Sequence, residues 1–121
     1  MEENIKNGFT KETVEILVKE KYVQIIVLTP LEAISSKNLK NVVEEQLQKS
    51  QLDLVIDLKA VDFMDSFALG ELVSILKIVN KTESKLFLVN LQTYIEQLFE
   101  ITQLKSIFKI FKNIEDLEEN I

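Results

Sequence analysis

The residues best suited to chemistry lie in one acidic turn. Asp62, Phe63, Met64, Asp65 and Ser66 separate a short apolar strand, Leu54 to Leu58, from a run of helical period that opens near Ser66. A serine hydroxyl at that junction has two uses. It can cap the helix, because the first helical N–H groups have no intrahelical partner. It can also carry a phosphate, which adds about −1.5 to −2 charges and several acceptor oxygens. The positive end of a helix macrodipole accommodates such a group without disturbing the fold. Asp62 and Asp65 would repel the phosphate toward solvent. A protein docked there would then meet a dense negative patch.

Composition removes the competing chemistries. The chain has 121 residues, no cysteine and no histidine. That leaves no disulfide framework, no zinc-thiolate site, no thiol nucleophile and no Ser–His pair. No phosphate-binding glycine loop or acidic metal cluster is visible, so no metal, cofactor or enzymatic activity is expected. The net charge is −6 and Lys and Arg are scattered, which speaks against nucleic acid as a partner. No apolar run approaches the roughly 20 residues needed to span a bilayer, so membrane insertion is not expected. The opening stretch, MEENIKNGFTKE, has neither signal-peptide nor transit-peptide character. Lack of cysteine suits a reducing compartment, and a cytoplasmic location is the expectation.

The elements that must position the turn follow from periodicity. Residues 1–12 carry little pattern and are expected to be poorly ordered, leaving 13–121 as one domain. Thr13 to Val18 alternates and reads as a strand, with Val14, Ile16 and Val18 on one side. After the charged turn Lys19-Glu20-Lys21, Tyr22 to Leu28 is continuously apolar and β-branched, as a buried strand is. Pro30 stops it. Ser35 or Ser36 can cap the next helix, whose apolar stripe is Leu39, Val42, Val43 and Leu47. The helix after the acidic turn carries Phe67, Leu69, Leu72, Val73, Ile75, Leu76 and Val79. Gly70 near its start points to close packing against a neighbouring backbone, or to tolerated looseness. Leu86 to Val89 is a strand. Thr93 and Glu96 fit a capping box for a helix with Ile95, Leu98, Phe99 and Ile101 inward. Ile107 to Phe111 is a last strand, and Asn113 caps a final short helix whose run Glu115 to Glu119 reads as a solvated face. The order is β-β-α-β-α-β-α-β-α. It predicts an α/β domain with a mixed, mostly parallel sheet, an opening hairpin and about four helices.

The stretch DLKAVDFMDSFALGELVSILK resembles the signature of the STAS domain of anti-sigma factor antagonists, in which a strand and short turn lead to Asp-Ser-(Ser)-Gly-Leu-Gly at a helix start. The likeness continues through LFLVNLQTYIEQLFEITQLKSIFKIFKNIEDL and covers about Val14 onward. It implies that Ser66, directly after Asp65, is phosphorylated by an anti-sigma factor that is itself a serine kinase. It implies also that the unphosphorylated form binds this partner and frees a sigma factor. The resemblance sets no oligomeric state. Departures fall in two places, the helix start and the loop after the second strand. Phe67 replaces the family's second serine, and Ala68 its first glycine. Phenylalanine's tendency to be buried favours a core role for Phe67, and an apolar contact to the partner is the alternative. Thr29-Pro30-Leu31-Glu32 replaces the family's glycine-acidic turn, a loop that often helps bind partners. The expected docking surface is therefore Asp65, Ser66 and Phe67 with Thr29, Leu31 and Glu32.

Two rivals are weighed. A receiver domain would use Asp57 as an aspartyl-phosphate acceptor with magnesium, but the loops offer only Glu20 and Glu32 as metal partners, and an opening hairpin breaks that topology. Asp57 reads better as a residue at a sheet edge or in a hydrogen bond. The other rival is a STAS module serving as an interaction subunit of another signalling or transport assembly, with Ser66 unmodified.

Overall fold

A computed structural model describes residues 13–121, so the expectation for residues 1–12 lies outside the described residues. Two strands, β1 (Val14–Val18) and β2 (Tyr22–Val27), form the opening hairpin. Then come α1 (Ala33–Lys49), β3 (Asp53–Asp57), α2 (Ser66–Asn80), β4 (Leu86–Val89) and α3 (Thr93–Ile101). A 3₁₀ turn (Leu104–Ser106), β5 (Lys109–Phe111) and α4 (Ile114–Glu118) close the described chain. The five strands lie side by side in chain order. β1 runs antiparallel to β2, and β2 to β5 are parallel neighbours. This is the mixed, mostly parallel sheet that the element order predicts.

The pleat divides the apolar residues between two faces. Val23, Ile25, Leu54, Ile56, Leu86 and Leu88 meet α1, α2 and α3 in the main core. Tyr22, Val55, Phe87 and Val89 face the other way, where Leu117 of α4 covers them. Coverage on both sides explains why β2, β3 and β4 read as continuous apolar runs. β1 lies at the rim: Val14 is buried, but Val18 is 69% exposed.

Several local expectations change. Glu32, not a serine, stands at the α1 N-cap, and Ser35 Oγ accepts from the Glu32 N–H at 2.9 Å. Ser35 does satisfy an orphan donor, but from the third helical position rather than the first. The box expected at Thr93 and Glu96 does not form. α3 begins at Thr93 with Gln92 as its N-cap, so Thr93 is already inside the helix. The Gln92 amide is drawn away to donate to the Lys59 carbonyl at 2.7 Å. Ile101, assigned inward by periodicity, is 79% exposed because the helix ends there and the chain turns off the core. Within the acidic run of α4, Glu118 accepts from the Tyr22 hydroxyl at 2.6 Å. A Cβ built on Gly70 meets nothing within 4 Å, so looseness rather than close packing explains this glycine.

Two outcomes follow. Gly70→Ala should raise stability by about 0.5–1 kcal/mol, seen as a higher melting temperature, because it lowers unfolded-state entropy without a clash. The second concerns Tyr22. Burial, then the Glu118 hydrogen bond, then the charges of Glu118 and Glu115 push its phenol up to about 12 from 10.0. The folded state therefore holds the proton more tightly than the unfolded chain. That stabilisation is whole below the unfolded value and drains as pH rises through the folded one. Denaturant midpoints between about pH 9 and 12 should fall more steeply for the wild type than for Tyr22→Phe.

Candidate functional site

Asp65 has extended backbone, with φ −95° and ψ 177°, and its Oδ1 accepts from the Ala68 N–H at 2.8 Å. Its carbonyl accepts from the Leu69 N–H at 3.2 Å. Asp65 is thus the N-cap, and Ser66 is the first helical residue. The capping use therefore does not fall to Ser66. The capping bond is made by the neighbouring carboxylate, and Ser66 stands exposed with its hydroxyl engaged by none of the described residues. The N–H groups of Ser66 and Phe67 belong to the orphan set at the positive end of α2.

The turn before the helix is held from below. Val61 and Met64 are buried, and the Val61 N–H donates to the Leu58 carbonyl at 3.0 Å. Asp62 and Phe63 project outward between these anchors. A second loop is laced to this one. The Leu31 N–H donates to the Phe63 carbonyl at 3.0 Å, and the Asp65 N–H donates to the Leu31 carbonyl at 3.2 Å. The result is a short parallel bridge between Leu31 and Met64. It sets Thr29, Pro30 and Glu32 beside Asp65, around an open cleft of about 470 Å³ that Ile34 and Asn38 also line. Ser35 Oγ donates to the Pro30 carbonyl at 2.8 Å, fixing the loop to the start of α1.

Of the residues expected at a docking surface, Thr29, Glu32 and Asp65 line this one cleft, and Ser66 and Phe67 are exposed directly after Asp65 in the chain, whereas the Leu31 side chain is fully buried. Leu31 acts on this surface through its backbone. Phe67 is not core: it is 43% exposed, with the Lys37 Nζ 5.4 Å from its ring centroid. Phe63 and Ile34 are exposed nearby and were missed by the sequence reading. Phe63 carried no signal, since alternation from Val61 would turn it inward and only the turn between Val61 and Met64 leaves it out. Lys37 carried none, because its contact depends on how α1 packs on α2.

Asp57 lies at the other end of the turn and is buried. It accepts from Gln24 Nε2 at 3.0 Å, the Lys59 N–H at 3.0 Å and Asn90 Nδ2 at 3.1 Å. A carboxylate so engaged ties β2, β3 and the loop after β4 together, and is not presented to a phosphoryl donor. Among the described residues no cluster of three or more acidic side chains is placed to hold a metal ion, and no helix is long and apolar enough to cross a membrane.

The family model of the STAS domain matches residues 12–117. The chain belongs to the STAS domain family. An anti-sigma-B factor antagonist of Listeria monocytogenes is 34% identical over 105 residues, covering 84% of this chain and 91% of the relative. One of Staphylococcus aureus is 28% identical over 102 residues, covering 84% and 94%. The crystal structure of an anti-sigma factor antagonist from Mycobacterium paratuberculosis shares the fold, with a TM-score of 0.79 at 20% identity, covering 90% and 92% of the two chains.

In this STAS domain the division between cap and exposed hydroxyl is open to test. Asp65→Ala should cost about 1 kcal/mol, and Asp65→Asn much less, because asparagine caps nearly as well. Urea midpoints for the two variants report the difference.

Proposed function

We propose that this STAS domain is an anti-sigma factor antagonist that binds an anti-sigma factor with serine-kinase activity, and that phosphorylation of Ser66 switches it off. The observation that carries the reading is the exposed, unengaged Ser66 hydroxyl at the start of α2, beside a cap supplied by Asp65. The names of the Listeria and Staphylococcus relatives support the antagonist role.

The switch works by charge. In the unmodified form the partner meets Thr29, Glu32, Asp65, Ser66 and Phe67, with Phe63 and Ile34 adding apolar contact. Transfer of the ATP γ-phosphoryl group to Ser66 Oγ releases the hydroxyl proton and ADP, and leaves a dianionic ester. Unoccupied N–H groups of the first helical turn stabilise it within the domain. Asp62, Asp65 and Glu32 add to it on the surface that the partner must desolvate. A loss of about 2–3 kcal/mol weakens binding roughly 30- to 100-fold. Core packing is untouched, because the Ser66 side chain lies outside it. The domain acts by binding, and no catalytic group is assigned to it.

The test uses the partner kinase from the same cells, ATP and intact-mass analysis with site mapping. Wild type should gain one phosphate at Ser66, and Ser66→Ala none while still binding the partner. Ser66→Asp should bind roughly 30- to 100-fold more weakly. Equal labelling of Ser66→Ala and wild type would remove Ser66 from the role.

A further inference from the structure

The β1 edge carries an observation independent of the switch. In the hairpin, the Leu28 N–H donates to the Thr13 carbonyl and the Lys19 N–H to the Tyr22 carbonyl, both at 2.8 Å. Residues that exchange ladder bonds alternate along an antiparallel pair. Glu15 and Leu17 therefore also turn their backbone groups toward β2. Val14, Ile16 and Val18 turn theirs outward, away from the sheet. No strand pairs with that side among the described residues. Edges of this kind are usually blunted by proline, a bulge or an inward charge. β1 has none of these in its five residues, VEILV. Leu17 and Val18 are exposed at this rim.

We propose that the β1 edge pairs with the same edge of a second copy, giving a two-fold dimer whose sheet runs through both chains. Charge selects the register. Only residues of like parity can face one another, because outward-pointing residues must meet outward-pointing residues. With Leu17 on the two-fold axis, Ile16 faces Val18 of the other copy and both exchange ladder bonds. Glu15 then faces Lys19, and symmetry repeats each pairing. Leu17 meets Leu17, and the Glu–Lys pairs flank it on the same face as close, non-hydrogen-bonded neighbours. With Ile16 on the axis Glu15 faces Leu17, and with Glu15 on the axis it faces its own copy. With Val18 on the axis, Ile16 faces the charge of Glu20. The Leu17 register alone keeps the apolar residues together and joins Glu15 to Lys19. Neither of these two residues has an ion-pair partner among the described residues. Isologous pairing closes at two copies instead of growing into a fibre. The contact is small, so association is weak and concentration-dependent.

Sedimentation of the full chain, across a concentration series reaching the millimolar range, tests the proposal. Wild type should pass from monomer to dimer. Glu15→Lys replaces two attractions with two repulsions and should weaken the dimer about tenfold. Lys19→Glu should do the same. An equimolar mixture of the two single variants should form a heterodimer, and the double variant should regain the homodimer. Val18→Pro removes an outward N–H, takes no bond from the β1–β2 ladder and alters an exposed side chain, so it should fold and stay monomeric. A chain that is monomeric throughout the series overturns the proposal, including the case in which the edge accepts only a strand of an unlike protein. So does a dimer that the charge reversals and Val18→Pro leave intact. None of these readouts involves Ser66.

Discussion

The candidate surface depends on the backbone bridge between Leu31 and Met64. Two loops leave the carboxyl ends of neighbouring parallel strands, where chain direction alone brings them near but does not align them. The pair of hydrogen bonds through Leu31 does. Burial of both side chains shields those bonds from water, which would otherwise compete for the same donors and acceptors. The loop after β2 and the start of α2 therefore form one surface. Leu31 shapes this surface through its backbone although its side chain is buried.

A second constraint separates capping from exposure at adjacent positions. Helix starts need an acceptor for their orphan N–H groups, and a serine there would normally supply it. Here Asp65 does so, and Ser66 is left with no structural duty. A substitution there removes no bond on which the helix start depends. Phe67 follows the same logic. It sits outside the core because Ala68 and Leu72 already fill the inward positions of this helix, and Lys37 covers part of its ring.

Most of the architecture was legible in the sequence because burial on both faces leaves a plain signature. β2, β3 and β4 are short apolar runs bounded by polar residues, and every strand–helix alternation was visible. The candidate site was legible in part. Ser66 and Asp65 stood out because a polar pair precedes an apolar helix. What stayed hidden depends on partners distant in the chain. Gln92 abandons its helix for the Lys59 carbonyl, Leu31 turns inward to meet Met64, and Glu118 finds Tyr22 across 96 positions of sequence. No local pattern encodes such choices. Ile101 shows the opposite limit: its spacing was right for an inward stripe, but the helix stops before the core extends that far.

The two faces of the sheet are protected very unequally. Three helices lie over one, while the cluster of Tyr22, Val55, Phe87 and Val89 relies on Leu117 of a single short helix, with Ile114 and Phe111 beside it. A protease nick in the turn that leads into α4 would remove this lid and leave the larger core standing. The remnant would keep its Ser66 surface yet bare a flat aromatic and β-branched patch, the kind of face that quality-control chaperones bind.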